Sequence, residues 1–429
     1  MKKSTVFLLL FGLVVLGACN LPITAPETGM SQETAVSGTM TAIVSALNAT
    51  ATAQAGGMVD NEGMDDQNEV IEETPLPTTE PIIMEDIPWC PAVGYITHRP
   101  GKQEIAYWPV INMGKEEIIY SGFSESIYRG EAILPLDDDV DPETMSLVYF
   151  KAQDDAIYQW KQMQSFELVR EDVFKSHMIM APASDKFAFS VVNNQGSEIF
   201  MSTTWTAGFA QPLLKTSRTD LALDPLRMLL DDAGNLLGLY VGFVNADTVN
   251  DYWFRSSQGL VYIDVASEEP RDILDESWQV LDVSQTGRLA AVIDPNAGSA
   301  VSIYEINQNA IATIPFCDGC TEAGAAMIRP DDGLVAWTEK RGEGEVYLLR
   351  VADTSGNVTF EIDSTQASAL VGVEVDALQA KGWLTSGLLL VDSGLVKNQV
   401  FVLNVVTGDV PWKSSGNFLS LVYDPDVCK

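Results

Sequence analysis

Five cysteines, two histidines and one dense run of aspartates are the residues of this 429-residue chain whose types and spacing could do chemistry. Cys317-Asp318-Gly319-Cys320 has a spacing that serves a loop-closing disulfide, thiol–disulfide exchange, half of a zinc site, or c-type haem attachment. Haem would need histidine next, where Thr321 stands, and zinc would need two more ligands from a chain holding only His98 and His177 besides its cysteines. Thioredoxin-like exchange would need a βαβ setting, which the flanking sequence lacks. The expectation is a structural bridge between Cys317 and Cys320. Cys90 and Cys428, at opposite ends of the folded region, would then form a second bridge joining its first and last strands.

Other chemistry finds less support. His98 closes the stretch Tyr95-Ile96-Thr97 and His177 precedes another apolar run, positions of strand-end residues rather than of a general base. No Gly-x-Ser-x-Gly elbow occurs. In Asp137-Asp138-Asp139-Val140-Asp141-Pro142-Glu143, the carboxylates of Asp137, Asp139 and Asp141 are the candidate calcium ligands. Pro142 at the sixth position and Val148 at the twelfth exclude an EF-hand, and a solvated acidic loop is the competing account. Apart from that calcium ion, no cofactor is expected.

The fifth cysteine ends an apolar run. Lys2 and Lys3 precede Val6 to Leu16, an arrangement of charged n-region and short h-region that marks a secretory signal. A membrane-spanning helix needs about 20 apolar residues, and Asn20, Pro22 and Pro26 end this run too early. Leu16-Gly17-Ala18-Cys19 resembles the lipobox of bacterial lipoproteins. That resemblance implies diacylglyceryl modification of the Cys19 thiol and removal of residues 1–18. It also implies a cell-envelope location, with the chain lipid-anchored on the extracytoplasmic side of a bacterial membrane. Several acyl chains make such attachment durable.

Residues 19–88 read as a tether. Thr, Ala and Ser dominate its first half, and residues 56–88 carry acidic side chains but no Lys or Arg, so the segment repels itself and stays extended. The whole chain has 25 Lys+Arg against 60 Asp+Glu, a formal net charge of −35. Such a field repels nucleic acid and anionic lipid headgroups, leaving the lipid anchor as the membrane contact and envelope or surface proteins as the expected partners.

From residue 89 to 429 the chain consists of short runs of Val, Ile, Tyr, Phe and Leu separated by Gly, Asp, Asn and Ser, an all-β pattern. One unit returns. Met178 to Met201 reads strand, turn at Ser184-Asp185-Lys186, strand Phe187 to Ser190, turn, and strand Glu198 to Met201. Ala326 to Leu348 repeats it, with its turn at Pro330-Asp331-Asp332-Gly333. Counterpart turns near Gly101, Met145, Gly234, Thr286 and Gly387 give a period of roughly 40 to 55 residues, which fits a four-stranded propeller blade. The region holds about seven such blades, and a pair of β-sandwiches is the alternative.

The two clear copies resemble the repeats of TolB-type propellers, which carry a Pro-Asp-Gly-like turn before an apolar strand and a Glu-Ile-Tyr-like strand after it. Val400-Phe401-Val402-Leu403-Asn404 through Pro411-Trp412 is similar to the WD40-like blade motif of quinoprotein-type propellers. These resemblances imply the fold, and with it a protein-binding or scaffolding role at the envelope. The alternative is an extracytoplasmic propeller enzyme acting on glycans or peptides through carboxylates in its funnel. The run Asp251-Tyr252-Trp253-Phe254-Arg255 either presents aromatics to a sugar or a protein partner or plugs a blade edge.

Overall fold

The computed structural model describes the strands and turns of residues 91–203 that are named below, and residues 212–423 apart from short internal stretches. All of them belong to the second of two compact parts of the chain, Thr79–Lys429. Cys19, Cys90, Cys428, the tether, the aspartates Asp137, Asp139 and Asp141, and the aromatic run 251–255 lie outside the described residues.

The described chain is almost entirely antiparallel sheet. Three sheets have four strands each. One contains β4 (Ile127–Leu134), β5 (Ser146–Lys151), β6 (Ala156–Lys161) and β7 (Gln164–Val169). The next contains β8 (Val173–Met180), β9 (Lys186–Asn193), β10 (Gly196–Thr203) and β11 (Leu214–Thr216). The third contains β19 (Cys320–Ile328), β20 (Leu334–Arg341), β21 (Val346–Asp353) and β22 (Val358–Asp363).

Two further sheets have seven strands, and each is two four-stranded units sharing one long strand. The first holds β12 (Leu221–Leu230), β13 (Leu236–Asn245), β14 (Ser257–Asp264), β15 (Pro270–Val283), β16 (Leu289–Ile293), β17 (Ala300–Glu305) and β18 (Ala310–Pro315). In β15, Pro270 to Leu274 pair with β14, Gln279 and Val280 pair with both β14 and β16, and Asp282 and Val283 pair with β16 alone. The second holds β23 (Gln379–Trp383), β24 (Leu388–Asp392), β25 (Gln399–Asn404), β26 (Trp412–Tyr423), β1 (Pro91–Arg99), β2 (Lys102–Pro109) and β3 (Glu117–Phe123). Trp412 to Ser415 of β26 pair with β25, and Gly416 to Tyr423 pair with β1, setting Pro91 opposite Tyr423.

Each unit therefore begins with a strand that has one hydrogen-bonded neighbour within its own unit. These leading strands, β4, β8, β12, the second half of β15, β19 and β23, lie beside one another in chain order, and β26 lies beside β4. That is the strand order of a propeller-like fold.

The core is divided among the spaces between successive units, which explains the lack of apolar/polar alternation in their strands. In β24 (Leu388-Leu389-Leu390-Val391), Leu388 and Leu390 pack with Val93, Ala106 and Trp108 of β1 and β2. Leu389 and Val391 point the other way, against Ala336, Leu349 and Val351 of β20 and β21. A strand buried on both faces reads as a continuous apolar run. Leu289 and Ala291 likewise face Val335 and Trp337, while Ala290 and Val292 face Tyr240 and Leu260. Trp108 of β2 stacks on Trp412 of β26 at 4.2 Å between ring centroids, where the last unit meets the first.

One helix stands among the described residues, α1 (Ser364–Val371), between β22 and β23. Asp363 and Gln366 form a reciprocal capping box at its start, and Gly372, at φ 78°, ends it in the left-handed region that glycine adopts without a Cβ clash. Ala367 and Val371 bury its inner face against the sheets.

Candidate functional site

Leading strands expose one row of backbone groups, an edge that invites mispairing unless covered. Here polar side chains of adjoining units cover it. The Leu223 N–H donates to Ser197 Oγ at 2.9 Å, and its carbonyl accepts from Ser190 Oγ. The Val283 carbonyl accepts from Arg227 Nε at 2.8 Å, and the Ile328 N–H donates to Asp282 Oδ2 at 2.7 Å. The Met327 carbonyl accepts from Trp383 Nε1 at 3.0 Å, and the Leu378 carbonyl accepts from Thr338 Oγ1. Arg227 also donates from Nη2 to Asp282 Oδ1 at 3.0 Å, so one carboxylate ties together three consecutive units. Burial pushes the Asp282 carboxyl above its ordinary value, and the Arg227 guanidinium opposes that shift only in part.

A second set of joints links the turns that follow the leading strands. Asp332 Oδ2 accepts from Thr286 Oγ1 at 2.7 Å and from Arg288 Nε at 3.1 Å, fastening the β19–β20 turn to the β15–β16 turn. Asp332 sits at φ 60°, a conformation that aspartate tolerates better than most residues. Arg329 donates from Nη1 to the Ser386 carbonyl at 2.6 Å, and its guanidinium lies 5.9 Å from the Trp383 ring centroid. The Tyr240 hydroxyl donates to the Gly287 carbonyl at 3.1 Å, and burial raises its pKa to about 12. Four successive units are thus joined at one end, beside Val406, which is 81% exposed in the β25–β26 turn.

A third cluster surrounds the cysteine pair. Cys317 and Cys320 form the expected disulfide, in the connection from β18 to β19. Beneath it Glu339 is completely buried. Its Oε2 accepts from the Cys317 N–H at 2.7 Å, and its Oε1 accepts from Trp337 Nε1 and Arg350 Nη1, both at 2.8 Å. Arg350 also donates to the Pro315 carbonyl and to Glu361 Oε1, each at 2.8 Å, and lies over the Trp337 ring. Arg341 reaches from Nη2 to Cys317 Sγ at 3.6 Å. Cys317, Cys320 and Glu339 bring potential ligand atoms within 4.8 Å of one another. The set does not fit a metal ion: both sulfurs are bonded to each other, both carboxylate oxygens hold protein donors, and two guanidiniums adjoin it.

Of the residues singled out by sequence, Cys317 and Cys320 are joined. His98 lies near the end of β1, opposite Gln103, as expected, whereas His177 lies within β8 rather than ahead of its strand, because β8 begins at Val173. Glu339 and Arg350 escaped notice: Arg350 interrupts the apolar run of β21, a readable signal, whereas Glu339 opens the charged end Glu339-Lys340-Arg341 of β20 and nothing local sets it apart. Arg227 and Asp282 each stand between apolar neighbours, but in strands that hold other charges; they lie in different units and no spacing rule connects them.

No family model matches the chain, and no curated protein matches it. Among solved structures it is similar to TolB from Acinetobacter baumannii, at 14% identity over 64% of this chain and 63% of that one, with a TM-score of 0.39. It is also similar to a structure from a study of two prolyl endopeptidases, at 11% identity over 77% of this chain and 51% of that one, with a TM-score of 0.48. An oligogalacturonate lyase from Vibrio parahaemolyticus is similar at 9% identity, over 76% of this chain and 84% of that one, with a TM-score of 0.44. The chain thus spans less than two thirds of the TolB chain and about half of the prolyl endopeptidase. At these identities the likenesses concern fold alone, and the chain's own sheets describe it as an all-β protein with propeller-like strand order.

Proposed function

We infer that the protein is an extracytoplasmic lipoprotein, held on a bacterial membrane through Cys19, whose seven units close into a ring that acts as a protein-binding or scaffolding module. Pairing of β26 with β1 supports closure, because one strand then belongs to both the last unit and the first. The observation that carries the functional reading is how the charged residues of the inner edge and turns are used. Arg227, Asp282, Arg329 and Asp332 are all engaged in joints between units, which favours a rigid platform over a convergent catalytic set.

Two measurements test this reading. Metabolic labelling with an acyl-chain analogue should mark the wild-type protein and not Cys19→Ala, which should leave the membrane fraction. A photo-crosslinker placed at exposed Val406 should capture a defined envelope protein in intact cells, and Arg288→Glu on the same face should weaken that capture. Cleavage of a glycan or peptide by the purified protein, lost on Asp282→Asn or Asp332→Asn with folding intact, would establish the enzyme reading instead.

A further inference from the structure

We propose that Cys317 and Cys320 form a reversible dithiol–disulfide centre that exchanges with thiols and disulfides of other proteins. Three observations distinguish this pair from a buried staple.

The two sulfurs are unequal in access. Cys320 is 8% exposed, whereas Cys317 is half-buried between the exposed residues of its own loop and exposed Arg341. Gly319, at φ 76°, carries the loop around, and a Cβ built on it would meet nothing nearer than the Arg341 side chain at 3.8 Å. A partner's sulfur can therefore approach Cys317 from solvent.

Charges around the sulfurs are also unequal. The exposed Arg341 guanidinium lies 3.6 Å from Cys317 Sγ, and an adjacent cation stabilises a thiolate relative to a thiol. The Glu339 carboxylate lies within 4.8 Å of both sulfurs. It is held by the Cys317 N–H as well as by Arg350 and Trp337, so the loop backbone stays anchored whether or not the sulfur–sulfur bond is present. Backbone bonds add to this, with Cys320 N–H donating to the Cys317 carbonyl and Gly342 N–H to the Gly319 carbonyl, each at 3.0 Å. Breaking the disulfide thus leaves the two sulfurs close enough to rejoin.

In the reducing direction, an external thiolate attacks Cys317 Sγ. The Cys317–Cys320 bond breaks, and its electron pair leaves on Cys320 Sγ, which takes up a proton. A second external thiolate then attacks the external sulfur of the mixed disulfide and releases Cys317 as a thiolate beside Arg341. Two external thiolates have become one external disulfide, and the protein has gained two electrons and one proton, the proton on Cys320. The reverse sequence, with Cys317 as nucleophile and Cys320 as resolving thiol, reduces an external disulfide.

The test uses purified full-length protein in detergent, with peptide mapping to separate Cys317 and Cys320 from the other three cysteines. In glutathione buffers of graded ratio, the bond should open and re-form reversibly. With the pair reduced, Cys317 should alkylate about tenfold faster than Cys320 at pH 7. In Arg341→Ala the Cys317 rate should fall several-fold at pH 7 but match wild type at pH 10, where both thiols are ionised. Cys320→Ser should accumulate a mixed disulfide with glutathione at Cys317. A bond that stays closed throughout the glutathione series overturns the proposal. So do equal alkylation rates that Arg341→Ala does not change, since a purely structural bridge has no reason to depend on Arg341.

Discussion

Glu339 shows how much one buried charge can commit. A buried pair is costly to assemble but more costly to break, because removal of one partner strands the other away from water. Glu339→Ala should destabilise the protein by about 3–5 kcal/mol in chemical denaturation. Glu361→Ala, which removes Arg350's half-exposed second partner, should cost about 1 kcal/mol or less. Acid works through other residues. Hydrogen bonds from Asn357 and its backbone hold the Asp353 carboxyl below the usual range, as bonds from Ser267 and Ser277 do for Asp264 and Asp275. Their stabilisation is present above the ordinary aspartate pKa near 4 and is lost as pH falls through their depressed values. Asp282 has the opposite sign, because burial raises its pKa: its contribution is complete below pH 4 and declines as pH rises through its folded value. Asp282→Asn should therefore flatten the stability profile on the side above pH 4, as read from denaturation midpoints across pH.

At the scale of elements, the joints between units carry specificity. Arg329→Ala removes the bond to Ser386 and the cation over Trp383, and should cost about 1–3 kcal/mol. Asp363→Ala should cost about 1 kcal/mol by removing the cap of α1, with both losses measured as shifts in denaturation midpoint. Much at this scale was legible in the sequence. The turns at Asp332 and Gly387 fall where β19–β20 and β23–β24 meet, because a tight reversal between apolar runs leaves a local signature. The strands on either side of Gly101 differ: β1 and β2 are the second and third strands of a unit whose leading strand is β26, so period counting misjudged their place. Helix α1 was missed because eight residues give too little apolar periodicity, although Asp363 and Gln366 have the spacing of a capping box. The pairings of Arg227 with Asp282 and of Arg329 with Ser386 were not legible at all, since they join residues 55 and 57 positions apart through tertiary packing.

At the scale of the whole molecule, β26 is decisive, because the same strand completes two units. Ending the chain after Val410 removes the partner of β25 and of β1 together, and should abolish cooperative thermal unfolding, as followed by circular dichroism. Trp108→Ala, which opens the stack on Trp412, should retain the fold but lose about 3–5 kcal/mol. Pro91, next in sequence to Cys90, pairs with Tyr423, five positions before Cys428. Non-reducing peptide mapping should therefore recover a peptide containing both cysteines.

The pairing of β1 with β26 also sets a schedule. A chain synthesised from its N-terminus offers β1 more than 300 residues before its mate exists, so for that interval β1 is an unclaimed edge, open to wrong partners and proteases. Only a chain that reaches β26 can silence that edge. Copies cut short before Trp412 should therefore be digested at β1 faster than copies that carry β26, a difference that limited proteolysis reads.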